Sequence, residues 1–221
     1  MQIMINQHIY VNTAVVIFSI VDNELKVLLI RRTQAPFEWF WWLPGWYLED
    51  DKSADQIVRE KLLLKVWLRN MYLEQFETFT DPKRDARYRA ITIWYMSIWN
   101  YHDIKKYSQY GEVSFLGIKT LAKLAFDHRD IMKRAYAVLR DKLFHSNIAQ
   151  FFLPRYFTLQ QLQDVYDAIL WNKSDVRNFR KYIDKAHIVK ATKKKEINVS
   201  HRPAVLFEFI NKDIHVGDYN W

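Results

Sequence analysis

Four carboxylates stand close together in one stretch of the chain and have the chemistry of a divalent-cation site: Glu49, Asp50, Asp51 and Glu60. Divalent cations such as Mg²⁺ bind oxygen ligands, and carboxylates supply these with compensating charge. The first three precede a helix that Ser53 is predicted to cap, because serine is a favourable N-cap residue. A loop that leads into a helix is also a common phosphate site, since the first turn presents unpaired N–H groups to an anion.

The elements around these residues are a predicted loop, residues 43–53, and a predicted helix, residues 54–67. Together they resemble the Nudix box, the loop–helix signature of nucleoside-diphosphate hydrolases. That signature reads Gly, five residues, Glu, seven residues, Arg-Glu, an apolar residue, any residue, Glu-Glu, any residue, Gly and an apolar residue. Leu43-Pro44-Gly45 stands where the family has the same three residues. The resemblance implies a scaffold for binding a diphosphate.

The family's metal-binding glutamates are not retained in either alignment of this stretch. Aligned through Trp67-Leu68, they fall on Lys52, Lys61, Leu64 and Lys65. Shifted by one residue, Gly45, Asp51, Arg59 and Glu60 match, but the Glu-Glu pair falls on Leu63 and Leu64. Leucine and lysine cannot supply the oxygen ligands that Mg²⁺ needs. We therefore expect no catalytic residues, no metal and no cofactor, and a function in binding rather than catalysis.

The composition is typical of a soluble protein with one large and one small domain. Half of the 221 residues are hydrophobic, and the net charge of +8 with a pI near 9.4 is compatible with nucleic-acid binding without being specific for it. The absence of cysteine excludes a disulfide framework and a thiolate metal site. Residues 1–12 lack the features of a signal peptide, and no stretch approaches the ~18 apolar residues of a membrane span. A cytoplasmic location is expected.

Residues 1–146 are predicted to form an α/β sandwich around the loop–helix unit. The β-rich runs 13–20 and 25–31, joined by Asp22-Asn23, predict a hairpin. Further strands are expected over 71–80, 90–99 and 112–117, with a polar loop over 101–110 and a turn or short helix over 121–124. A long helix is predicted over 127–143, because its apolar residues fall on one face.

Residues 147–221 follow a different pattern. Thr158 is predicted to cap one helix and Ser174 a second, over 175–187, with Asn172 as the left-handed residue of the turn between them. Two short strands, 188–192 and 204–210, flank a predicted basic turn at 193–195. Helix, short turn, helix and two-stranded ribbon predict a winged helix-turn-helix.

The second of these helices separates an apolar face, Val176, Phe179 and Ile183, from a polar one. The polar face offers donors for base edges and phosphates, although an ordinary solvated helix face is the alternative. Lysines on the wing suit the DNA backbone, and residues 151–221 carry twelve basic against eight acidic residues, a net of +4. The predicted DNA-binding residues are Arg177, Asn178, Lys181, Lys185, Lys193, Lys194, Lys195 and Arg202.

Arginines 31, 32, 84, 87 and 89 flank the loop–helix unit in the predicted strand order. Forked guanidinium groups recognise phosphates well, and scattered surface arginines are the alternative. The aromatic run over 37–42 either stacks a base or closes the core, and the core is favoured for most of it. The predicted effector-binding residues are Arg32, Leu43, Pro44, Gly45, Arg84 and Arg87.

Three further segments extend the resemblance to nearly the whole chain: 72–79 with Asp81-Pro82 and Arg84-Asp85, then 175–181, then 200–204. With these segments the chain is similar to the Nudix-related transcriptional regulators of NAD metabolism and sugar use. The resemblance implies a dimeric DNA-binding repressor or activator whose Nudix domain senses ADP-ribose or a related nucleotide without turnover. The expected partners are a double-stranded DNA operator, that effector and a second copy of the chain, with no membrane.

The chain also departs from the resembling family at several small residues. Tryptophan stands where the family tends to have glycine or alanine, at positions 39, 42, 46, 67, 94 and 171. Trp46, next to Gly45, is expected to crowd a bound diphosphate. Two other functions stay open on sequence alone. One is an ADP-ribose-type diphosphatase that uses the four carboxylates as its metal site, and the other is a scaffold for protein–protein contacts.

Overall fold

The computed structural model describes residues 8–66, 72–100, 113–120, 124–197, 199–200, 202–211 and 213–214. The predicted polar loop over 101–110, the turn or helix over 121–123 and Trp67 lie outside these residues. In the described part, no helix is long and apolar enough to cross a membrane.

A mixed sheet of seven strands forms the centre of the first part. Its strands are β1 (Tyr10–Val21), β2 (Glu24–Arg31), β3 (Trp41–Trp42), β4 (Gly45–Tyr47), β5 (Tyr72–Phe79), β6 (Ala90–Ile98) and β7 (Val113–Gly117). The order is β3-β2-β1-β6-β5, with β4 paired to β1 and β7 to β2, and only β1 and β6 run parallel among the described pairs. The predicted hairpin is confirmed, because β1 and β2 pair antiparallel about Asp22 and Asn23, whose φ angles are 54° and 58°.

Two helices cover opposite faces of this sheet. Because side chains alternate along a strand, Val15 and Ile17 of β1 face one side and Val16 and Phe18 the other. On one face, Val58 and Leu62 of helix α1 (Ala54–Val66) belong to the same hydrophobic cluster as Val15 and Ile17. Helix α2 (His128–His145) packs Ile131, Ala135 and Leu139 in the cluster of the second pair. This part of the chain is therefore an α/β/α sandwich.

The predicted start of α1 is confirmed. The backbone N–H of Gln56 donates to Ser53 Oγ at 3.2 Å, and the Ser53 N–H donates to Gln56 Oε1 at 2.8 Å. This reciprocal pair is a capping box, which satisfies two of the donors that a helix start leaves unpaired.

The described residues of the second part form two α-helices and a ribbon. A 3-10 helix, Ile148–Phe152, leads to α3 (Leu159–Leu170) and α4 (Val176–Ala186), and the antiparallel strands β8 (Val189–Lys195) and β9 (Val205–Phe209) follow. Thr158 and Gln161 form a second capping box at the start of α3, as predicted for Thr158. The arrangement of α3, α4 and the ribbon is that of a winged helix-turn-helix.

Buried residues of the two parts belong to one hydrophobic cluster. Val16 of the sheet, Leu139 of α2, Phe152, Leu162 of α3 and Phe179 of α4 are all members. Between α2 and α3, the Tyr136 hydroxyl donates to the Ile169 carbonyl oxygen at 2.7 Å, and its ring stacks on Trp171 with centroids 4.5 Å apart. The helix-turn-helix thus packs directly on the sandwich.

The structure corrects four local predictions in this second part. Trp171, not Asn172, takes the left-handed conformation (φ 55°, ψ 30°), where its ring stacks on Tyr136. Asp175, not Ser174, caps α4 and accepts two N–H bonds, while the Ser174 hydroxyl donates to Asp167. Val176 was predicted on the apolar face of this helix, but it is 43% exposed, because it is the first residue of α4 and lies outside the contact with α3.

The fourth correction concerns the lysines of the wing. Lys193, Lys194 and Lys195 continue strand β8 rather than forming its turn, and Lys195 pairs with Val205 of β9. The register shifts between Ala191 and Lys195, so the pairing of the two strands is irregular at the lysines.

Candidate functional site

A cavity of about 380 Å³ opens over the sandwich near the starts of β1 and β6. It is lined by five of the six predicted effector-binding residues, namely Arg32, Leu43, Gly45, Arg84 and Arg87. Pro44 is not among the lining residues. Its carbonyl oxygen accepts the N–H of Val15 at 3.0 Å, so it holds the loop on the sheet instead.

Gly45 is needed where β4 lies close against β1. A Cβ on this residue would stand 3.0 Å from Ala14 Cβ and 3.2 Å from the carbonyl oxygen of Thr13. Trp46 lines the cavity, as expected, but it is half-buried and packs against the hydrophobic cluster under α1. The bulk of this tryptophan is therefore shared between the cavity wall and the core.

Arg84 ties the loop after β5 to the start of α2. Its Nε lies 2.9 Å from Asp127 Oδ2 and its Nη2 lies 3.1 Å from Oδ1, while Nη1 donates to the Thr92 hydroxyl. Such a bidentate pair fixes the guanidinium in one orientation. Asp127 is the N-cap residue of α2, so Arg84 is held beside the positive end of that helix dipole.

Arg87 forms a second ion pair in the same loop. Its Nε and Nη2 donate to the two Asp85 oxygens at 2.9 and 2.7 Å. Burial raises the pKa of the Asp85 carboxyl, but hydrogen bonds from Arg87 outweigh this effect and leave that pKa below its ordinary value. The guanidinium also lies 5.0 Å from the centroid of the Phe126 ring, which it covers.

Arg32 is buried between two aromatic rings. Its Cζ lies 4.9 Å from the centroid of Trp42 and 5.1 Å from that of Phe126, and it donates to the carbonyl oxygens of Gln34 and Pro36. Burial lowers the pKa of its guanidinium, and the nearby charge of Arg87 lowers it further. Arg32 still carries its charge at neutral pH, because an arginine in a protein does not lose its proton.

His128, the first residue of α2, anchors the loop that contains Leu43. The Leu43 N–H donates to His128 Nδ1 at 2.9 Å, so the ring proton belongs on Nε2. Burial, helped by the positive charges of Arg84 and Arg32, lowers the pKa of this imidazole to about 3. The ring therefore stays neutral at neutral pH and acts as a fixed acceptor.

The charge balance of the cavity is positive. Arg32, Arg84 and Arg87 face two carboxylates, Asp85 and Asp127, and the N-terminus of α2 adds a partial positive charge. Tyr47, Tyr88, Trp42 and Phe126 supply aromatic surface around these groups. Cationic groups beside flat aromatic rings suit a phosphate joined to a planar base.

The four carboxylates of the loop–helix unit lie outside this cavity lining. Lys52 Nζ stands 2.9 Å from Glu49 and 2.8 Å from Glu60, and Lys61 Nζ stands 2.9 Å from Glu49. Hydrogen bonds from Lys61 and Lys52 lower the pKa of Glu49 to about 2. An ammonium group thus occupies the space between Glu49 and Glu60, and no group of three potential metal ligands is found among the described residues.

The prediction that the aromatic run after Pro36 is mostly core is wrong for two of its residues. Trp39 is 61% exposed, and Phe37 is exposed as well. Both have positive φ angles, 69° and 63°, which are unfavourable for large side chains. The reason is local, because the tight loop after Arg32 turns their side chains outward.

The predicted DNA-binding face of α4 is exposed in the structure. Arg177 and Asn178 lie in its first turn, where their N–H groups donate to Asp175 Oδ1. On the opposite side, Phe179 is buried with its ring 5.3 Å from that of Tyr166 in α3. All eight residues predicted to bind DNA are exposed: Arg177, Asn178, Lys181, Lys185, Lys193, Lys194, Lys195 and Arg202.

The structure adds two residues to this surface that the sequence analysis missed. Lys194 Nζ lies 3.7 Å from the centroid of the Tyr156 ring, and Arg155 Cζ lies 5.2 Å from the same centroid. Tyr156 therefore joins the segment before α3 to the wing. The adjacent basic and aromatic residues after Pro154 were a signal that could have been used.

The sequence analysis also missed the cavity residues Asp85, Asp127 and His128. Their signal was weak, since Asp127 and His128 only mark the start of a predicted helix. The aromatic lining residues Tyr47, Tyr88 and Phe126 stand far apart in the sequence, and only the sheet order brings them together.

Comparison with known proteins identifies the family. Residues 149–209 match the family model described as the NrtR DNA-binding winged helix domain. Over 210 residues the chain is 32% identical to the ADPR responsive transcriptional repressor NtrR of Acinetobacter baylyi, with 93% of this chain and 82% of the relative covered. The chain belongs to the NrtR family.

Two solved NrtR structures from Shewanella oneidensis resemble this member of the NrtR family. One is complexed with a 27mer DNA; it is 30% identical, with a TM-score of 0.79, and covers 90% of this chain and 93% of that one. The other is the NUDIX domain of NrtR complexed with ADP ribose; it is 29% identical, with a TM-score of 0.52, and covers 63% and 94%. The expected Nudix-like sandwich with a C-terminal winged helix-turn-helix is confirmed.

Proposed function

We propose that this chain is a transcriptional repressor that binds operator DNA through α4 and the wing, and whose cavity binds ADP-ribose or a related nucleotide. One observation carries the proposal. The same compact structure holds a cationic, aromatic cavity at the start of α2 and an exposed basic helix in a winged helix-turn-helix. The likeness to NrtR proteins that bind ADP ribose and DNA supports both halves.

The cavity suits a nucleotide diphosphate. We assign the phosphates to Arg32, Arg84 and Arg87, with Leu43 and Gly45 as the adjoining floor. These guanidinium groups are oriented by contacts already made within the protein, so little side-chain freedom is lost on binding. Pro44 shapes the floor by anchoring the loop to β1 without lining the cavity.

The helix and wing suit double-stranded DNA. Arg177 and Asn178 stand at the exposed N-terminal end of α4, the part of a recognition helix that meets base edges. Lys181 and Lys185 continue the same face, whereas Lys193, Lys194, Lys195 and Arg202 lie on or beside the wing. Wing lysines reach phosphates, which add affinity without sequence preference.

The regulator acts without turnover of its effector. Glu49 and Glu60 are joined through Lys52, and that ammonium stands where a bridging divalent cation would have to enter. A diphosphatase that used these carboxylates would first have to displace it. The arrangement therefore favours a sensor over the hydrolase alternative.

The proposal extends to domain organisation, assembly and location. We assign effector binding to residues 1–146 and DNA binding to residues 147–221. A winged helix reads one half-site, so a palindromic operator requires a two-fold dimer. Light scattering at micromolar concentration tests this assembly, and a monomer with and without DNA contradicts it. We place this DNA-binding regulator in the cytoplasm.

The function is tested by measuring both binding events and their coupling. Duplexes from the DNA upstream of neighbouring genes are titrated by fluorescence anisotropy, with and without ADP-ribose. A coupled site changes operator affinity by about 5- to 150-fold, and the duplex must change ADP-ribose affinity by the same factor. Saturable ADP-ribose binding with no change in DNA affinity contradicts the proposal.

A variant pair links the coupling to the cavity. Arg87→Ala removes a cavity guanidinium and should weaken ADP-ribose binding by roughly 1.5–3 kcal/mol. Arg59→Ala is the matched control, because Arg59 also pairs with a neighbouring aspartate, Asp55, but lies on α1 outside the cavity lining. Unchanged calorimetric affinity in Arg87→Ala removes that residue from the site.

A further inference from the structure

The segment before α3 is hydrogen-bonded to the wing. The Phe157 N–H donates to the carbonyl oxygen of Phe207 in β9 at 3.1 Å, and the Phe207 N–H donates to that of Phe157 at 2.7 Å. Phe207 also pairs with Ala191 of β8, so β9 lies between this segment and β8. Phe157 is buried, and the centroid of its ring lies 5.0 Å from that of Phe209. These contacts hold the chain directly before α3 against the ribbon.

The ring of Tyr156 contacts two cationic groups. Tyr156 points away from the core that Phe157 enters, because successive side chains of an extended segment alternate. Lys194 Nζ of β8 lies 3.7 Å from the centroid of the Tyr156 ring, and Arg155 Cζ lies 5.2 Å from it. A cation over an aromatic face is attracted by the quadrupole of the ring. Tyr156 therefore limits the freedom of both long side chains.

The two cations have no carboxylate partner among the residues that the structure describes. Neither Arg155 nor Lys194 forms an ion pair there, whereas Lys190 of the same ribbon lies 3.4 Å from Glu208. Both side chains are exposed. Like charges that share one ring repel each other, and an anion that contacts both relieves the repulsion. The pair is therefore suited to phosphate groups.

The place of this pair in the helix-turn-helix indicates which phosphates it reaches. Helix α3 is the first helix of the motif, and such a helix crosses the DNA backbone while the second enters the major groove. Arg155 and Tyr156 lie just before Thr158, the N-cap of α3. Their partner Lys194 belongs to the wing, which also approaches the backbone. This placement favours the sugar–phosphate backbone of a duplex over a free small anion.

We propose that Arg155 binds a phosphate of the operator beside the wing, and that Tyr156 is a positioning residue that holds Lys194 for the same stretch of backbone. Fixing Lys194 before binding reduces the entropy that its side chain loses on contact with DNA. Both contacts add affinity without sequence preference. The inference rests on the proposed function, since it takes α4 and the wing as the DNA-binding surface.

Salt titrations by fluorescence anisotropy test the phosphate contact. A scrambled duplex is measured beside a duplex from the DNA upstream of a neighbouring gene, because phosphate contacts do not depend on sequence. Arg155→Ala should weaken binding to both duplexes alike and lower the salt slope by about one. Arg140→Ala is the matched control, since Arg140 also lies over a tyrosine ring, that of Tyr136, but on α2. It should leave the slope unchanged, and an unchanged slope in Arg155→Ala overturns the contact.

A double-mutant cycle tests the positioning role. Tyr156→Leu should weaken binding to both duplexes about three- to tenfold, the effect of freeing one long side chain. Tyr156→Phe should keep full affinity, because the ring remains. In the Lys194→Ala background, Tyr156→Leu should cause a smaller loss, since the side chain that it frees is already absent. An equal loss in both backgrounds indicates that the ring only supports the fold, and the positioning role is then wrong.

A further variant keeps the cycle decisive if Tyr156→Leu does not fold. Tyr156→Met then takes its place, because a flexible methionine fills irregular space without providing an aromatic face. The outcomes also separate this inference from the proposed function. If the unaltered protein binds neither duplex, the proposed DNA binding is wrong. If it binds DNA and Arg155→Ala keeps the salt slope, only the contact beside the wing is refuted.

Discussion

The ion pair between Arg84 and Asp127 should contribute far more to stability than an exposed pair of the same geometry. The Arg84 side chain is 7% exposed and that of Asp127 is 24% exposed, and two hydrogen bonds of 2.9 and 3.1 Å join them. At an effective dielectric constant of about 20, charges about 4 Å apart attract by about 4 kcal/mol. Desolvation offsets about half of this attraction, which leaves a coupling energy of about 2 kcal/mol.

The perturbation is a double-mutant cycle of Arg84→Ala and Asp127→Asn, measured by urea unfolding. The single variant Arg84→Ala should lower the free energy of unfolding by about 2–3 kcal/mol, because it leaves the Asp127 carboxylate unpaired. The positive end of the α2 dipole limits this loss, since it stabilises that carboxylate by about 0.3–1 kcal/mol. Adding Asp127→Asn should restore part of the loss. The reference cycle uses Arg59 and Asp55 on α1, whose side chains are both 49% exposed and should couple by about 0.3–0.5 kcal/mol. A cavity coupling no larger than that of the α1 pair refutes the reasoning.

Three further predictions concern DNA reading, a strained residue and pH. Arg177→Ala should weaken binding to the specific duplex by about 1–3 kcal/mol and relax the preference at one base pair. Lys194→Ala should weaken binding to specific and scrambled duplexes alike and lower the salt slope by about one. If the two variants behave identically in a salt titration, α4 does not lie in the groove. Trp39→Gly should raise the free energy of unfolding by about 1 kcal/mol, because φ is 69° there and the ring is exposed; a urea midpoint below that of the unaltered protein contradicts this. The pKa of His128 is about 3 in the folded protein, below its value of about 6.5 in the unfolded chain. The unfolded state therefore binds a proton first as pH falls below 6.5, and the free energy of unfolding should drop by about 2 kcal/mol at pH 5. His128→Gln should remove this loss, and the exposed-site variant His145→Gln should retain it.

The elements were predictable where one pattern dominates locally. Runs rich in β-branched and aromatic residues mark β1 and β6. Serine and threonine before periodic apolar residues mark the starts of α1 and α3, and the spacing of Ile131, Ala135 and Leu139 marks α2. Each of these signals depends on residues that are neighbours in the chain. The errors arose where a distant contact decides the conformation. Trp171 adopts the left-handed region beside Tyr136, a partner that no local pattern indicates.

The candidate site was predictable in its cations but not in their partners. Arginine and the Leu43-Pro44-Gly45 loop are recognisable by type and spacing. That Arg84 pairs with Asp127 depends on two residues 43 positions apart, which the fold brings together at the start of α2. The pairing of Glu49 and Glu60 through Lys52 is of the same kind, because it needs the turn of the loop over the helix. Sequence patterns supply the charges of such a site, and the tertiary fold decides how they neutralise one another.

One hydrophobic cluster joins the sheet, α2, α3 and α4, so we expect these elements to unfold together. A cut between α2 and α3 would separate buried members of this cluster, such as Leu139 and Leu162. Heating should therefore give one calorimetric transition, and the winged helix should resist separation by mild proteolysis. A ligand bound at the start of α2 should stabilise the folded state against global unfolding. Amide hydrogens of α3 and α4 should therefore exchange more slowly when the cavity is occupied. Exchange measured by mass spectrometry would then record effector binding far from the cavity, without any DNA present.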